Sequence, residues 1–205
     1  MKKRMKKIKI NVVFTEKELM QEMGRFRFQE TDLDCIRKVN RSLVPMLDIR
    51  AFYDERGKAY IVFVTLGTGI DRLQEQFSLE EKVFEEYVTE CLGMVYLSRA
   101  YEKVFAAMSV QEKKALKEFC FWEDCYGIED LVPLLNEYSQ TGIICSSEGV
   151  MSPSKSVVML VWLCHNREKA CQGAGDREKL MQGMCLLCKN KCEYGIAREK
   201  EIDRL

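Results

Sequence analysis

The sequence predicts an α+β fold in which an antiparallel, bent sheet is packed by one long helix and followed by a cysteine-rich C-terminal tail. Residues 48–53 and 58–66 are rich in β-branched and aromatic residues and flank a turn containing Gly57, which predicts a hairpin. A long helical periodicity begins at Leu79, and the apolar run 157–164 has the length of a buried strand. Together they favour a sheet covered by helices.

The first elements alternate between strand and helix. Residues 9–14 (KINVVF) predict a strand. Thr15 and Glu18 have the spacing of a capping box, so a helix is expected over 16–23, ended by Gly24.

A second helix is expected after Thr31 and Asp34, which we assign to its cap, and Pro45 ends it. Its apolar side consists of Leu33, Ile36, Val39 and Leu43. Residues 66–71 (LGTGID) then predict a strand-to-helix turn, because two glycines are too few for a nucleotide-binding fingerprint.

The long helix has its apolar positions on one face, continuing toward Val104 and Phe105: Val83, Phe84, Tyr87, Val88, Cys91, Leu92 and Val95. We assign Tyr87, Tyr96 and Tyr101 to the core rather than to a stacking site. Ser109 and Glu112 form another capping-box pattern, which predicts a short helix to Phe119.

Two irregular segments lie in the middle of the chain. A Tyr-Gly turn precedes an amphipathic helix with Leu131, Leu134 and Leu135 on one face. A strand over 142–145 and a loop of small residues over 146–156 follow. Ligands are often bound by loops held on rigid elements, so these two segments are the candidate site.

Composition excludes several classes of protein. Among 205 residues, Lys+Arg and Asp+Glu both total 32, so no overall field attracts nucleic acid or an anionic membrane. The basic start, MKKRMKKIKI, lacks the apolar region of a signal peptide, and no apolar run has the length of a membrane span. We therefore expect a cytoplasmic protein that binds neither nucleic acid nor membrane.

Ten cysteines are many for such a chain, and we expect them to be reduced thiols or metal ligands rather than disulfides. Five of them fall within residues 164–192, where glycines break the periodicity. We therefore divide the chain into a domain over 1–164 and a cysteine-rich tail over 165–205.

The order of motifs in the candidate site resembles a known family. Tyr126-Gly127, the leucine helix, Thr-Gly-Ile at 141–143 and Met-x-Pro-x-x-Ser-Val at 151–157 follow one another. This order is similar to the activation (reactivation) domain of vitamin B12-dependent methionine synthase, above all to its short stand-alone relatives. The resemblance covers residues 10–163.

The chain departs from the family at the ligand motifs. Family members read S-P-G-Y-G at the turn, after an Arg that helps to hold S-adenosylmethionine, whereas Phe121 stands at that position here. They read E-S-x-x-M-x-P-x-x-S-V-S-G in the second loop, whereas this loop ends in Val158 and Met159. The scaffold motif is kept and the donor motif is degenerate.

The resemblance implies a module that activates a corrinoid protein by reductive remethylation from S-adenosylmethionine, with cobalamin carried by the partner. Tyr126 would take the catalytic position between corrin and donor. Gly127 would allow close backbone approach, and Asp124 or Glu148 would take the donor ammonium. Lys117 or Lys155 would replace the missing Arg as a point charge. The other donor-binding positions are Met151, Pro153 and Ser156.

Two alternatives stay open. In the first, which Phe121 favours, the chain is a docking module that keeps the fold but no longer binds the methyl donor. In the second, it is a small zinc-binding or iron–sulfur protein. Cys185-x2-Cys188-x3-Cys192 has the spacing of a chelating loop, with a fourth ligand among Cys171, Cys164 and His165. Without a ligand, Tyr126 would be an ordinary turn tyrosine and the tail cysteines free thiols.

Overall fold

A computed structural model describes residues 5–165. Five strands form an antiparallel sheet in the order β1-β2-β3-β7-β4, and β5 pairs with β6 in a separate small hairpin. The strands are β1 (Lys6–Ile8), β2 (Arg50–Arg56), β3 (Ala59–Thr65), β4 (Ala115–Phe121), β5 (Ile144–Cys145), β6 (Met151–Ser152) and β7 (Ser156–Cys164). The predicted α+β class with an antiparallel sheet is confirmed.

Within residues 5–165, six α-helices accompany the sheet. They are α1 (Glu16–Met23), α2 (Leu33–Leu43), α3 (Gly69–Leu79), α4 (Val83–Glu112), α5 (Trp122–Cys125) and α6 (Ile128–Glu137). Short 3₁₀ turns occupy Gly24–Phe26, Glu30–Asp32, Val44–Met46 and Ser139–Thr141. The long helix expected from the periodicity is α4, which runs for 30 residues.

The centre of the sheet is buried on both faces. Along β3, alternate side chains enter two different cores, because successive residues of a strand point to opposite faces. Tyr60, Val62 and Val64 join the core under α1–α4. Ala59, Ile61 and Phe63 join a second core under α6, with Trp122, Leu131, Leu134, Leu135 and Tyr138. The continuous apolar run of β3 follows from this two-sided burial.

The capping prediction at α1 is confirmed, whereas the one at α2 is wrong. Thr15 accepts the Glu18 backbone N–H, and the Glu18 carboxylate accepts the Thr15 N–H, as in a capping box. Before α2, the reciprocal bonds join Gln29 and Asp32 around a 3₁₀ turn. Asp34 pairs instead with Arg37, one turn further along the helix.

The first strand is displaced from its predicted position. Residues 6–8, rather than 9–14, pair with β2, and Ile8 lies opposite Ala51. Since β2 begins at Arg50, the chain beyond Ile8 has almost no strand left to pair with. It leaves the sheet, and Val12 and Phe14 pack into the helical core instead.

The end of α4 also differs from the prediction. Ser109 and Glu112 do not begin a new helix, because α4 continues through both and residues 115–121 form β4. The Lys114 N–H bonds to the Ser109 carbonyl and the Lys113 N–H to that of Val110, with Lys113 at a φ of 53°. This Schellman motif ends the helix and turns the chain into the strand. At the other end, Val83 and Phe84 are exposed rather than part of the buried face.

Smaller boundaries shift at turns. The β2–β3 hairpin has a two-residue turn at Gly57 and Lys58, with Gly57 at a φ of 62°. Strand β2 therefore includes residues 54–56, which were expected in the turn. Strand β5 is shorter than expected because Gly142 adopts a left-handed conformation after a 3₁₀ turn.

Helix α4 carries a partly buried carboxyl group, Glu102, whose side chain is 16% exposed. Burial raises its pKa to about 7, and the charge of Glu22 adds to the shift while Arg25 and Lys103 oppose it. Arg99 Nε lies 3.8 Å from the carboxylate, beyond hydrogen-bond distance.

The capping difference is tested by a matched pair of threonine substitutions. We expect Thr15→Ala to lower the free energy of unfolding by about 1 kcal/mol, because an N-cap bond of α1 is lost. Thr31→Ala should change it by less than about 0.5 kcal/mol, since Thr31 holds no backbone N–H of α2. Urea denaturation measures both. Equal effects would contradict the observed caps.

Glu102 should make stability depend on pH. Its pKa is raised from 4.5 in the unfolded chain, so its contribution is fully present at low pH and lost as pH rises through 7. We expect the difference in unfolding free energy, Glu102→Gln minus wild type, to rise by about 1–2 kcal/mol between pH 5 and pH 8. The same substitution at the exposed Glu75 is the control. A difference independent of pH would contradict the assignment.

Candidate functional site

The two irregular segments of the predicted site meet in the structure. Gly149, in the second loop, has a φ of 88° and lies against Ile128 at the start of α6. A Cβ atom at Gly149 would stand 1.7 Å from Ile128 Cδ1, so a larger residue would force the Ile128 side chain to move, and the positive φ favours glycine. Trp122 and Met151, one from each segment, line the same small cavity.

Tyr126 is held on one face and open on the other. Its ring stacks on Trp122, with centroids 4.4 Å apart and planes 22° from parallel. Trp122 is buried and donates its indole N–H to the Gly127 carbonyl at 3.4 Å. Its backbone carbonyl accepts the Tyr126 N–H at 2.8 Å. The Tyr126 side chain is 48% exposed, so it presents a fixed aromatic surface to solvent.

A disulfide closes this turn. Cys120, on β4, is joined to Cys125, at the end of α5. The expectation that the cysteines are thiols or metal ligands is therefore wrong for this pair, because one turn of helix brings the chain back beside the strand end. Within the described chain, Cys35, Cys91 and Cys145 are free thiols.

The acidic candidates lie on the surface. Asp124 and Glu148 are both exposed, on the turn and on the tip of the second loop. Gly127 is in an ordinary extended conformation, but the Glu129 side chain folds over it. A Cβ atom at Gly127 would stand 2.1 Å from Glu129 Oε1, so this glycine makes room for a carboxylate of its own chain rather than for an empty cleft.

Ser156 and Pro153 anchor the second loop to the sheet. The buried Ser156 hydroxyl lies 2.7 Å from the Pro153 carbonyl and 2.8 Å from the Thr65 hydroxyl. The Gly67 N–H donates to the Thr65 oxygen at 3.1 Å. Since Ser156 donates to the carbonyl, Thr65 donates to Ser156, and every group in this chain of bonds is satisfied. Both predicted residues therefore have a structural task.

Lys155 is engaged with the long helix. Its ammonium pairs with the Glu90 carboxylate, and its stem crosses α4 at Gly93, where a Cβ atom would stand 2.9 Å from Lys155 Cε. The other Glu90 oxygen accepts from Gln74 at 2.9 Å. A ligand carboxylate would have to compete with Glu90 for this cation.

Sequence reasoning missed the contribution of Asp71. Its carboxylate, in the first turn of α3, accepts the Ser154 backbone N–H at 3.2–3.3 Å. This bond connects the second loop to the strand-to-helix turn over residues 66–71. An acidic residue in a first helical turn is ordinarily explained by the helix dipole, so nothing in the sequence indicated a contact 83 residues away.

The cavity beside Tyr126 is small. It measures about 30 Å³ and is lined by Phe121, Trp122, Glu123, Leu131, Met151, Val157 and Val158. That volume holds about one water molecule, whereas ligand pockets span roughly 300–1,000 Å³. Phe121, at the position of the family's Arg, has its ring against Phe119 and Tyr101. This cavity is therefore too small for S-adenosylmethionine.

The predicted metal ligands Cys171, Cys185, Cys188 and Cys192 lie outside the described residues. Within residues 5–165, no group of three or more His, Cys, Asp or Glu side chains is placed to hold a metal ion. Cys164 is half-buried in β7, and His165 is exposed directly after it. Over the same part of the chain, no helix has both the length and the apolar character that crossing a membrane requires.

Comparison with known proteins gives no assignment: no family model matches the chain, and no curated protein matches it.

The contact between the two segments is tested by a pair of glycine substitutions. We expect Gly149→Ala to lower the free energy of unfolding by about 2–4 kcal/mol, because backbone strain and the clash with Ile128 combine. Gly57→Ala, at a similarly positive φ but with nothing within 4 Å, isolates the strain and should cost about 1 kcal/mol. Adding Ile128→Ala to Gly149→Ala should restore part of the loss. Equal effects of the two glycine substitutions in urea denaturation would contradict the contact.

Proposed function

We propose that this chain is a docking module for a corrin-bearing protein, built on a fold of the methionine synthase activation type. One observation carries the proposal: Tyr126 is held flat on a buried tryptophan and open to solvent at the junction of the two segments that resemble the family's site. A rigid aromatic side chain with one free face is a typical anchor of a protein interface.

The surroundings of Tyr126 support an interface. Ile128, 45% exposed, lies two residues further along the chain and packs on the second loop through Gly149. Val150, 65% exposed, follows that glycine directly. We call these three exposed apolar side chains, carried by two segments that meet at Gly149, the Tyr126 surface. Its rim carries the exposed carboxylates of Asp124 and Glu148.

Docking is better supported than methyl transfer from S-adenosylmethionine. In that transfer the methyl acceptor is the partner's cobalt, so this chain would only bind and orient the donor. Asp124 or Glu148 are available for the donor ammonium, but the position of the carboxylate partner holds Phe121. Lys155, the substitute, is paired with Glu90. Remethylation of the partner is therefore the finer hypothesis, and a donor titration decides it.

The docking proposal predicts binding to a cobalamin domain. We expect the cobalamin-binding domain of methionine synthase, loaded with hydroxocobalamin, to bind this chain in isothermal titration calorimetry. Tyr126→Ala should weaken binding about tenfold or more, and Val150→Ala about threefold, because both remove apolar contact from the interface. Tyr126→Phe should bind nearly as well as wild type, since the ring still stacks on Trp122.

Val110→Ala is the matched control, because Val110 is 77% exposed at the far end of α4. It should leave the dissociation constant unchanged. Absence of binding, or equal effects of Val150→Ala and Val110→Ala, would contradict the proposal. Titration of the chain alone with S-adenosylmethionine should give no heat at millimolar ligand, and heat lost in Tyr126→Ala would establish donor binding instead.

A further inference from the structure

We infer that the Cys120–Cys125 disulfide is a redox-active site: a dithiol opens it by attack on Cys125, and its opening releases the turn that holds Trp122 and Tyr126. The inference goes beyond docking, and its tests need no partner.

The two sulfurs differ in access. Cys120 lies on β4 opposite Leu160 of β7, is half-buried and packs against the second core. Cys125 ends the single turn of α5 and is exposed. An incoming thiolate therefore meets the sulfur of Cys125 first. Cys120, held by the sheet, is the leaving group.

The thiols of Cys35, Cys91 and Cys145 do not share this chemistry. Burial raises the pKa of Cys35 and of Cys145, and it raises that of Cys91 to about 11. Such thiols are protonated near neutral pH and are poor nucleophiles. Among these cysteines, only the Cys120–Cys125 pair includes an exposed residue, Cys125, that lies in a segment of the candidate site.

The small size of the loop also points to exchange rather than to support of the fold. Only five positions separate the two cysteines, and short loops constrain the unfolded chain least. Within residues 5–165, one short bridge beside the free thiols of Cys35, Cys91 and Cys145 does not resemble a scaffold stapled by disulfides.

The exchange balances with a dithiol as the reductant. One thiolate of the dithiol attacks Cys125 Sγ, the Sγ–Sγ bond breaks, and Cys120 leaves as a thiolate that takes a proton. The second thiol of the reagent then attacks the mixed disulfide and releases the Cys125 thiolate. Two electrons pass to the protein, and the reagent ends as its own disulfide.

The bond closes the turn that fixes the aromatic pair. Trp122 and Tyr126 lie within or directly beside the bridged loop, and the hydrogen bonds given above are local to it. Helix α5 has only four residues, too few to be stable without support. Opening the bridge therefore removes the covalent constraint on the position of Tyr126.

The charge around Cys125 selects the reagent. Glu123 and Asp124 precede it, Glu129 and Asp130 follow in the first turn of α6, and no Lys, Arg or His occurs from 118 to 154. Anionic thiolates are repelled by this field, whereas a reagent carrying an ammonium group is attracted. The natural reductant is then a protein dithiol with a basic surface rather than a small anionic thiol.

The first experiment measures reduction of the native protein. Dithiothreitol is added, free thiols are alkylated at intervals, and mass spectrometry follows the pair after cleavage at Glu123, which separates the two cysteines. We expect the rate in native buffer to lie within about tenfold of the rate in denaturant, because Cys125 is accessible without unfolding. A rate slower by about a thousandfold, or a pair alkylated before reduction, would overturn the inference.

The second experiment tests the charge selectivity. At low ionic strength, cysteamine should open the bond at least about fivefold faster than mercaptoacetate, and salt should reduce that ratio. Glu123→Gln/Asp124→Asn should reduce it as well. A ratio that neither salt nor the double variant changes would overturn the proposed role of the carboxylates.

The third experiment follows the turn itself. In a Trp162→Phe background, Trp122 is the only tryptophan, and its emission should rise as the neighbouring disulfide opens. Cys125→Ser should show the higher emission from the start and no response to dithiothreitol. The reduced wild type serves as a second comparison if this variant is unstable. Emission unchanged on complete reduction would overturn the release of the turn.

Discussion

Burial of strands β3 and β7 from both faces is the constraint on which the rest of the structure depends. Every residue of β3 is buried, and the two sides of the strand feed two separate cores. A shift of one residue between β3 and β7 would exchange the side chains of the two cores, so the register is fixed. That register places Thr65 opposite Ser156 and thereby sets the geometry at the end of both strands.

The two segments of the candidate site are connected to this strand end to different degrees. The second loop is tied to it by the Ser156 and Thr65 hydroxyls, by the Leu66 N–H bond to the Lys155 carbonyl at 3.0 Å, and by Asp71. The Tyr126 turn is held by its stacking on Trp122, which packs into the second core, by its local hydrogen bonds and by the disulfide. One half of the site is therefore part of the rigid sheet, and the other half is a local structure attached to it.

Sequence reasoning succeeded where one local rule decided the structure. Thr15 and Glu18 are adjacent to the helix they cap, and Leu131, Leu134 and Leu135 lie on one buried face. It failed where contacts with residues far away in the sequence determined the structure. Residues 115–121 form a strand because β7 offers an edge, although the capping-box pattern at Ser109 favoured a helix.

The same limit applies to the site. The motifs located the two segments that meet, but they did not show that Lys155 reaches Glu90 on α4 or that Asp71 binds the Ser154 N–H. Both contacts join residues far apart in the chain, and each satisfies a group that a ligand would otherwise have met. The disulfide was missed for a different reason, since the number of cysteines in a sequence does not give the distance between two sulfurs.

The equal totals of acidic and basic residues conceal an uneven surface. Glu123 and Asp124 open α5, and Glu129 and Asp130 open α6, where the helix dipole favours carboxylates by about 0.3–1 kcal/mol each. Helix stability alone therefore accounts for their presence. Their field nevertheless acts on whatever approaches Tyr126, because no cation of the same segment offsets it. If the Tyr126 surface docks a partner as proposed, these four carboxylates favour a positively charged surface on that partner.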